Sequence, residues 1–138
     1  MATDYTPPDG PVLKVENLRV TFIDKDGVNV AVRDASLEVR AGEVLGIVGE
    51  SGSGKTVTCA TSMGLLSGWP GVVGGKVWFD PGDGAGPRNL LEGIEKTVHH
   101  AAEGIPVKDK RAWRFFVKRR FHPWWGRGMT MIFQNPAT

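Results

Sequence analysis

The sequence predicts an α/β fold that joins an antiparallel β subdomain to a glycine-rich loop flanked by a buried strand and a helix. Two observations support this prediction. Apolar residues alternate with other residues along much of 13–39, as in strands that bury one face. Residues 44–48 instead form an almost unbroken apolar run that leads directly into glycines at 49, 52 and 54. A chain of 138 residues is long enough for one such domain.

The elements before the loop follow from local composition. Residues 1–11 contain paired prolines and an Asp-Gly step, which predicts a flexible lead-in. Alternation over 13–22, 28–32 and 35–39 predicts strands of the antiparallel subdomain, with a turn at Asp26-Gly27 between the first two sets. Residues 40–42 then turn the chain into the expected buried strand at 44–48.

Residues 49–56 have the sequence Gly-Glu-Ser-Gly-Ser-Gly-Lys-Thr, a complete G-x-x-x-x-G-K-[ST] motif. Glycines let the backbone curl around a phosphate, and the loop N–H groups and the following helix dipole favour an anion there. We expect Lys55 to reach the β- and γ-phosphates and the Thr56 hydroxyl to ligate Mg²⁺. The expected nucleotide ligands are Gly49, Glu50, Ser51, Gly52, Ser53, Gly54, Lys55 and Thr56. The alternative is a glycine-rich turn with a chance Lys-Thr pair, which the flanking strand and helix disfavour.

Downstream of the loop, a helix is predicted over 54–66, and Gly-Trp-Pro-Gly at 68–71 is expected to end it. Residues 75–80 should return as a strand to the β subdomain, and 81–87 form a loop by composition. Cys59 is the only cysteine, so the chain forms no intramolecular disulfide.

The flanks of the motif resemble one family. Together with residues 37–43 and 63–66, the loop closely resembles the ATP-binding subunits of ABC transporters. The loop variant with Glu50 most resembles the oligopeptide and dipeptide importer branch of that family. Residues 129–136, Met-Thr-Met-Ile-Phe-Gln-Asn-Pro, resemble that family's Q-loop, after a strand expected at 131–133. The resemblance implies a partial P-loop NTPase core joined to the β subdomain, with ATP and Mg²⁺ as cofactors.

The resemblance also assigns residue roles. It implies that Gln134 helps to hold Mg²⁺ and the attacking water, so Lys55 and Gln134 are the candidate catalytic residues and Thr56 and Gln134 the metal ligands. The alternative for Gln134 is an ordinary polar residue at a strand end. Phe22 matches the position of the family's adenine-stacking aromatic. Phe22 also continues the alternation of the first strand, so a half-buried strand residue is the alternative.

The family's signature loop, catalytic carboxylate and switch histidine follow the Q-loop, and none occurs before Thr138. We therefore expect residues 12–138 to be the N-terminal part of a nucleotide-binding domain, truncated after the Q-loop. Whether this chain hydrolyses ATP alone stays open, because phosphoryl transfer needs several parts at once. The predicted function is the ATP-binding subunit of an ABC transporter for peptide import. The alternative is a truncated, non-hydrolysing nucleotide-binding or interaction module.

Residues 89–127 are longer than the connection expected of the family, which predicts an insertion. Within it, basic residues at 108–127 interleave with aromatic ones. Three interpretations stay open: a solvated helix whose aromatics pack locally, contact with anionic lipid head groups, or binding to nucleic acid. The net charge of +2 gives no whole-molecule argument for nucleic acid, which is not an expected partner.

The resemblance implies transmembrane permease subunits and a second ATP-binding subunit, identical or different, as partners. The first ten residues lack the basic and apolar regions of a signal peptide, and no apolar run reaches the length needed to cross a bilayer. We therefore expect a peripheral protein at the cytoplasmic face of the cell membrane.

Overall fold

A four-stranded antiparallel sheet dominates the computed structural model, which describes residues 7–66 and 71–134. Its strand order is β2-β1-β3-β4, and every neighbouring pair is antiparallel. The strands are β1 (Leu13–Asp24), β2 (Gly27–Val39), β3 (Gly71–Phe79) and β4 (Arg88–Asn89). The predicted antiparallel β subdomain is confirmed, and the predicted Asp26-Gly27 turn joins β1 to β2. The expected strand at 75–80 begins earlier, at Gly71.

β1 and β2 are long strands whose alternation changes phase partway along. In β1 the buried positions pass from Val15 to Leu18, a three-residue step that would move a regular strand onto its other face. Val15 and Leu18 pair with Leu37 and Ala35, which lie only two residues apart, so the register shifts there. A second shift lies between Leu18 and Val20. These bulges let Val15, Leu18 and Val20 all be buried against the core.

The helix after the glycine-rich loop, α1 (Lys55–Ser62), is shorter than the predicted 54–66. It ends because Gly64 adopts φ 70°, and the N–H of Leu65 turns back to the Ala60 carbonyl oxygen at 2.8 Å. The ring of Phe121 fills the space where a side chain at position 64 would lie. Of the predicted helix stop at 68–71, residues 68–70 lie outside the described residues, as do residues 1–6 of the predicted lead-in.

The prediction of a buried strand at residues 44–48 is wrong. This segment has no strand pairing, and Val44 and Val48 are 95% and 97% exposed. The strand expected at 131–133 is also absent, and Ile132 is 87% exposed. The physical reason is that a strand buried on both faces needs neighbours that hydrogen-bond to its edges. In the described part of the chain, the paired strands belong to two antiparallel sheets that exclude these two segments.

The predicted insertion at 89–127 folds into short elements. After β4 come a 3₁₀ helix (Ile94–Thr97) and a two-stranded sheet of β5 (Val98–His100) and β6 (Pro106–Lys108). The helix α2 (Lys110–Arg120) and a second 3₁₀ helix (His122–Trp124) follow. Asp109 caps α2, since its Oδ1 accepts hydrogen bonds from the backbone N–H groups of Arg111 and Ala112 at 2.9 and 3.0 Å.

One cluster of buried apolar side chains joins this segment to the sheet. From the sheet it includes Leu18, Val77 and Phe79, and from the segment Phe116 and Phe121. Leu18, Val77 and Phe121 have no measurable exposure, so they lie at the centre of the cluster. Within residues 7–66 and 71–134, no helix has the length and apolar character needed to cross a lipid bilayer.

Candidate functional site

The glycine-rich loop of residues 49–56 has the backbone geometry that its sequence predicts. Gly52 and Gly54 have φ values of 80° and 93°, in the left-handed region that favours glycine. Gly54 is also the residue that precedes α1, and a Cβ there would lie 2.7 Å from the Ala31 carbonyl oxygen of β2. A Cβ at Gly49 would lie 2.7 Å from the hydroxyl of Ser53. At Gly54 the loop therefore passes too close to β2 for a side chain, and at Gly49 a side chain would have to displace the Ser53 hydroxyl.

The side chain of Lys55 folds back across the loop. Its Nζ donates hydrogen bonds to the carbonyl oxygens of Gly49 and Glu50, the latter at 2.6 Å, and lies 3.1 Å from the Ser53 hydroxyl. The ammonium therefore lies inside the curve of the loop, beside the place where the motif holds a phosphate.

The N-terminal end of α1 is electropositive. The first N–H group to find a partner inside the helix is that of Thr58, which donates to the Gly54 carbonyl oxygen at 2.9 Å. The N–H groups of Lys55, Thr56 and Val57 precede it, and no side chain caps this helix end. Since its first turn also carries no acid, the free N–H groups and the helix dipole favour an anion.

A cleft of about 510 Å³ opens at this helix end. Residues 51–57 form one side of it, and Gln134 lies in its lining although it is distant in sequence. The side chains of Thr56 and Gln134 are both exposed. The cleft thus brings together a cation, a hydroxyl and a carboxamide that the sequence predicted as site residues, namely Lys55, Thr56 and Gln134.

β2 also contributes to the cleft through Asn29, Val30 and Ala31, which the sequence analysis missed. The alternation of residues 28–32 indicates only a strand, and the approach of Ala31 to Gly54 depends on tertiary packing. No local signal in the sequence identifies these residues.

Phe22 does not line this cleft. It lies in β1, directly opposite Asn29 of β2, and its half-buried ring packs against the core. The structure therefore places Phe22 on the strand next to a residue of the cleft. Its half-buried position in β1 matches the alternative that the sequence analysis gave for this residue.

A larger cavity, of about 680 Å³, lies away from the loop beside Trp78. Three of the charged side chains that line it, Lys14, Glu16 and Asp80, already have partners in the protein. Glu16 accepts a hydrogen bond from the Trp78 indole at 3.0 Å and pairs with Lys14 at 2.7 Å, and the bond from Lys14 holds the pKa of the Glu16 carboxyl below its usual range. Asp80 accepts a hydrogen bond from the Gly82 N–H at 2.9 Å. Because these groups are already engaged within the protein, this cavity is a weaker candidate than the loop cleft.

Comparison with known families matches the part of the chain that builds the loop cleft. The model of the family described as ABC transporter matches residues 32–137, a range that contains the glycine-rich loop, α1 and Gln134. The chain belongs to the ABC transporter family. The earlier resemblance, which rested on residues 37–66 and 129–136, is confirmed.

Individual relatives agree with this family assignment. The chain is 49% identical over 79 residues to the oligopeptide transport ATP-binding protein OppD of Salmonella typhimurium, covering 57% of this chain and 23% of that protein. It is 48% identical over 129 residues to the glutathione import ATP-binding protein GsiA of Escherichia coli O1:K1, covering 94% of this chain and 17% of that protein. The matched part of this chain therefore spans about a fifth of the length of each of these relatives. No solved structure matches the chain.

Proposed function

We propose that this chain binds MgATP through residues 49–56 and contributes that site to the ATP-binding subunit of an ABC importer. One observation supports the proposal most strongly. Lys55, Thr56 and Gln134 line a single cleft at the uncapped N-terminal end of α1. A cation, free backbone N–H groups and two neutral oxygen donors suit a polyphosphate with its metal ion.

Each group has a distinct role in this proposal. The N–H groups of the loop and of the first turn of α1 hold the phosphates, and Lys55 releases the loop carbonyls to pair with the β- and γ-phosphate oxygens. Exchange of neutral carbonyl partners for phosphate oxygens strengthens the hydrogen bonds of the ammonium, because the new acceptors are charged.

We propose that Mg²⁺ binds together with the nucleotide rather than to the protein alone. Within the described ranges, no group of three or more His, Cys, Asp or Glu side chains is placed to hold a metal. The protein would supply the hydroxyl of Thr56 and the carbonyl oxygen of Gln134, and phosphate oxygens and water would complete the shell. Mg²⁺ commonly binds in this way, with few protein ligands and several retained waters.

The cleft favours binding over hydrolysis. Among the described residues that line it, none is acidic, so the lining contains no carboxylate to orient or deprotonate an attacking water. Lys55 and Gln134 stabilise charge and position groups but do not replace that carboxylate. The second candidate function, a non-hydrolysing nucleotide-binding or interaction module, rests on this observation.

The cargo and partners are inferred from the relatives. OppD is named for oligopeptide transport and GsiA for glutathione import, so we infer an importer of peptides or of glutathione-like compounds. Transmembrane permease subunits and a second ATP-binding subunit are the proposed partners, at the cytoplasmic face of the membrane. Phe22 stays the proposed residue on which the adenine ring stacks. This role requires the adenine base to extend past Asn29 toward β1.

Competition binding tests the proposed site. A fluorescent ATP analogue bound to the chain in Mg²⁺ should be displaced by ATP and by inorganic tripolyphosphate, and adenosine should displace it poorly. This order is expected because the loop recognises phosphate rather than the base. Displacement by adenosine but not by tripolyphosphate would contradict the proposed role of the loop.

A phosphate-release assay separates the two candidate functions. The non-hydrolysing module predicts that the chain binds MgATP without turnover. Phosphate release that disappears in a Lys55→Ala variant would instead show that this chain hydrolyses ATP.

A further inference from the structure

The outer side of α2 is a strongly basic surface that contains one exposed aromatic ring. At 100° per residue, five side chains of α2 fall within an arc of about 140°. We call them the basic face: Arg111, Arg114, Phe115, Lys118 and Arg119. All five are exposed, and Phe115, 66% exposed, lies within the arc between Arg111 and Arg119.

Phe115 differs from the neighbouring aromatic residues, which have partners inside the protein. Trp113 stacks on Phe116, with ring centres 6.0 Å apart, and holds the ammonium of Lys108 3.8 Å from its ring centre. Trp125 donates a hydrogen bond to the Met63 carbonyl oxygen. Local packing of the aromatic side chains, one of the three interpretations of this stretch, therefore accounts for these rings. It does not account for Phe115, which faces solvent among cations.

No described acid forms a salt bridge with the basic face, although the charge of Asp109 attracts that of Arg111. α2 contains no acidic residue, and the four cations of the basic face, Arg111, Arg114, Lys118 and Arg119, form no salt bridge with a described residue. Asp109, next to the helix, accepts hydrogen bonds from the first-turn N–H groups. Glu92 pairs with Arg120, which lies outside the arc, at 3.1 Å. The face therefore presents four positive charges that attract an anionic surface.

We propose that the basic face docks this protein directly onto anionic lipid head groups, with Phe115 inserted at the boundary of the acyl chains. Cations that surround a single apolar side chain on one side of a helix match the layering of head groups over acyl chains. Single-stranded nucleic acid fits less well, because it is bound by a groove with several stacking aromatics, whereas this face is the convex side of one helix with one free ring. The proposal does not depend on nucleotide binding.

Vesicle co-sedimentation of the full chain tests this docking. The protein should bind vesicles of phosphatidylglycerol with phosphatidylcholine and should bind phosphatidylcholine vesicles weakly. Each cation near an anionic surface contributes about fivefold in partitioning, so Arg111→Ala with Arg114→Ala should weaken binding by about 25-fold. Phe115→Ser should weaken it by about tenfold, and added salt should weaken the wild type.

A matched control removes two cations from elsewhere on the surface. Lys25→Ala with Arg33→Ala, on the β1–β2 hairpin, lowers the net charge equally and should change binding by less than about threefold if the basic face is the docking site. Circular dichroism verifies that each variant is folded. Equal losses in the two double variants, or equal binding to both kinds of vesicle, would overturn the proposal. Binding of a single-stranded oligonucleotide that depends on Phe115, without vesicle binding, would overturn it in favour of nucleic acid.

Discussion

The indole of Trp125 donates a hydrogen bond of 2.8 Å from its Nε1 to the carbonyl oxygen of Met63, the residue that follows α1. Beside this bond, the fully buried ring of Phe121 packs against Gly64. The chain that follows α2 is thus attached to the end of α1 opposite the phosphate loop. The 89–127 segment therefore supports the helix whose other end forms the nucleotide cleft.

The Gly64→Ala substitution should destabilise the protein strongly. An added Cβ would lie 2.4 Å from Cγ of Phe121, and position 64 has φ 70°. Displacement of Phe121 and backbone strain together should lower the free energy of unfolding by about 3 kcal/mol, as measured by urea denaturation.

Gly104→Ala is the matched control for this substitution. Gly104 has a similar φ of 75°, but nothing lies within 4 Å of an added Cβ. Its loss should be limited to strain of about 1 kcal/mol. Equal losses in the two variants would show that contact with Phe121 does not matter.

Lys108 should make stability depend on pH in alkaline solution. Its side chain is 3% exposed, and burial lowers the pKa of its ammonium from 10.5 to about 8. The unfolded chain therefore holds more protons than the folded chain between pH 8 and 10.5, so stability should rise with pH across that window. The total gain is about 3 kcal/mol if the lowered pKa is fully realised.

Lys108→Met tests this assignment, because it keeps a long flexible side chain without the charge. The pH-dependent rise in the free energy of unfolding should disappear in the variant, and the variant should be more stable than the wild type at neutral pH. An unchanged pH profile would assign the rise to other groups.

Thr56→Val should remove the contribution of Mg²⁺ to nucleotide binding. The substitution keeps the branched shape but removes the proposed oxygen ligand. ATP affinity in Mg²⁺ should fall by about tenfold or more, and affinity in the presence of a chelator should change little. Thr56→Ser, which keeps the hydroxyl, should behave as the wild type does. A loss of equal size with and without Mg²⁺ would mean that the hydroxyl does not act through the metal.

How far the sequence predicted the structure depends on how local each feature is. The loop at 49–56 was predictable because each glycine and Lys55 has a local geometric role. The strands of the antiparallel subdomain were predictable from alternation, although the phase changes in β1 and β2 had to be seen in the structure as bulges. α1 was predicted too long because its end depends on contact with Phe121.

Features that depend on distant neighbours were not predictable. The apolar run at 44–48 favours a strand, but strand pairing and burial require other segments on both sides. Asn29 and Ala31 join the cleft only because β2 approaches Gly54. Lys108 belongs to the basic aromatic stretch, for which a solvated helix was one of three open interpretations, yet the ring of Trp113 holds its ammonium in the interior.

Calorimetric titration of the purified chain with MgATP tests whether residues 49–56 form the nucleotide site. The wild type and a Lys96→Ala control, which removes an exposed cation away from the cleft, should bind MgATP with micromolar affinity. Lys55→Ala should show no binding at the same concentrations while circular dichroism shows that it is folded. Undiminished binding by Lys55→Ala, or no binding by a folded wild type, would contradict the assignment of residues 49–56 as the nucleotide site.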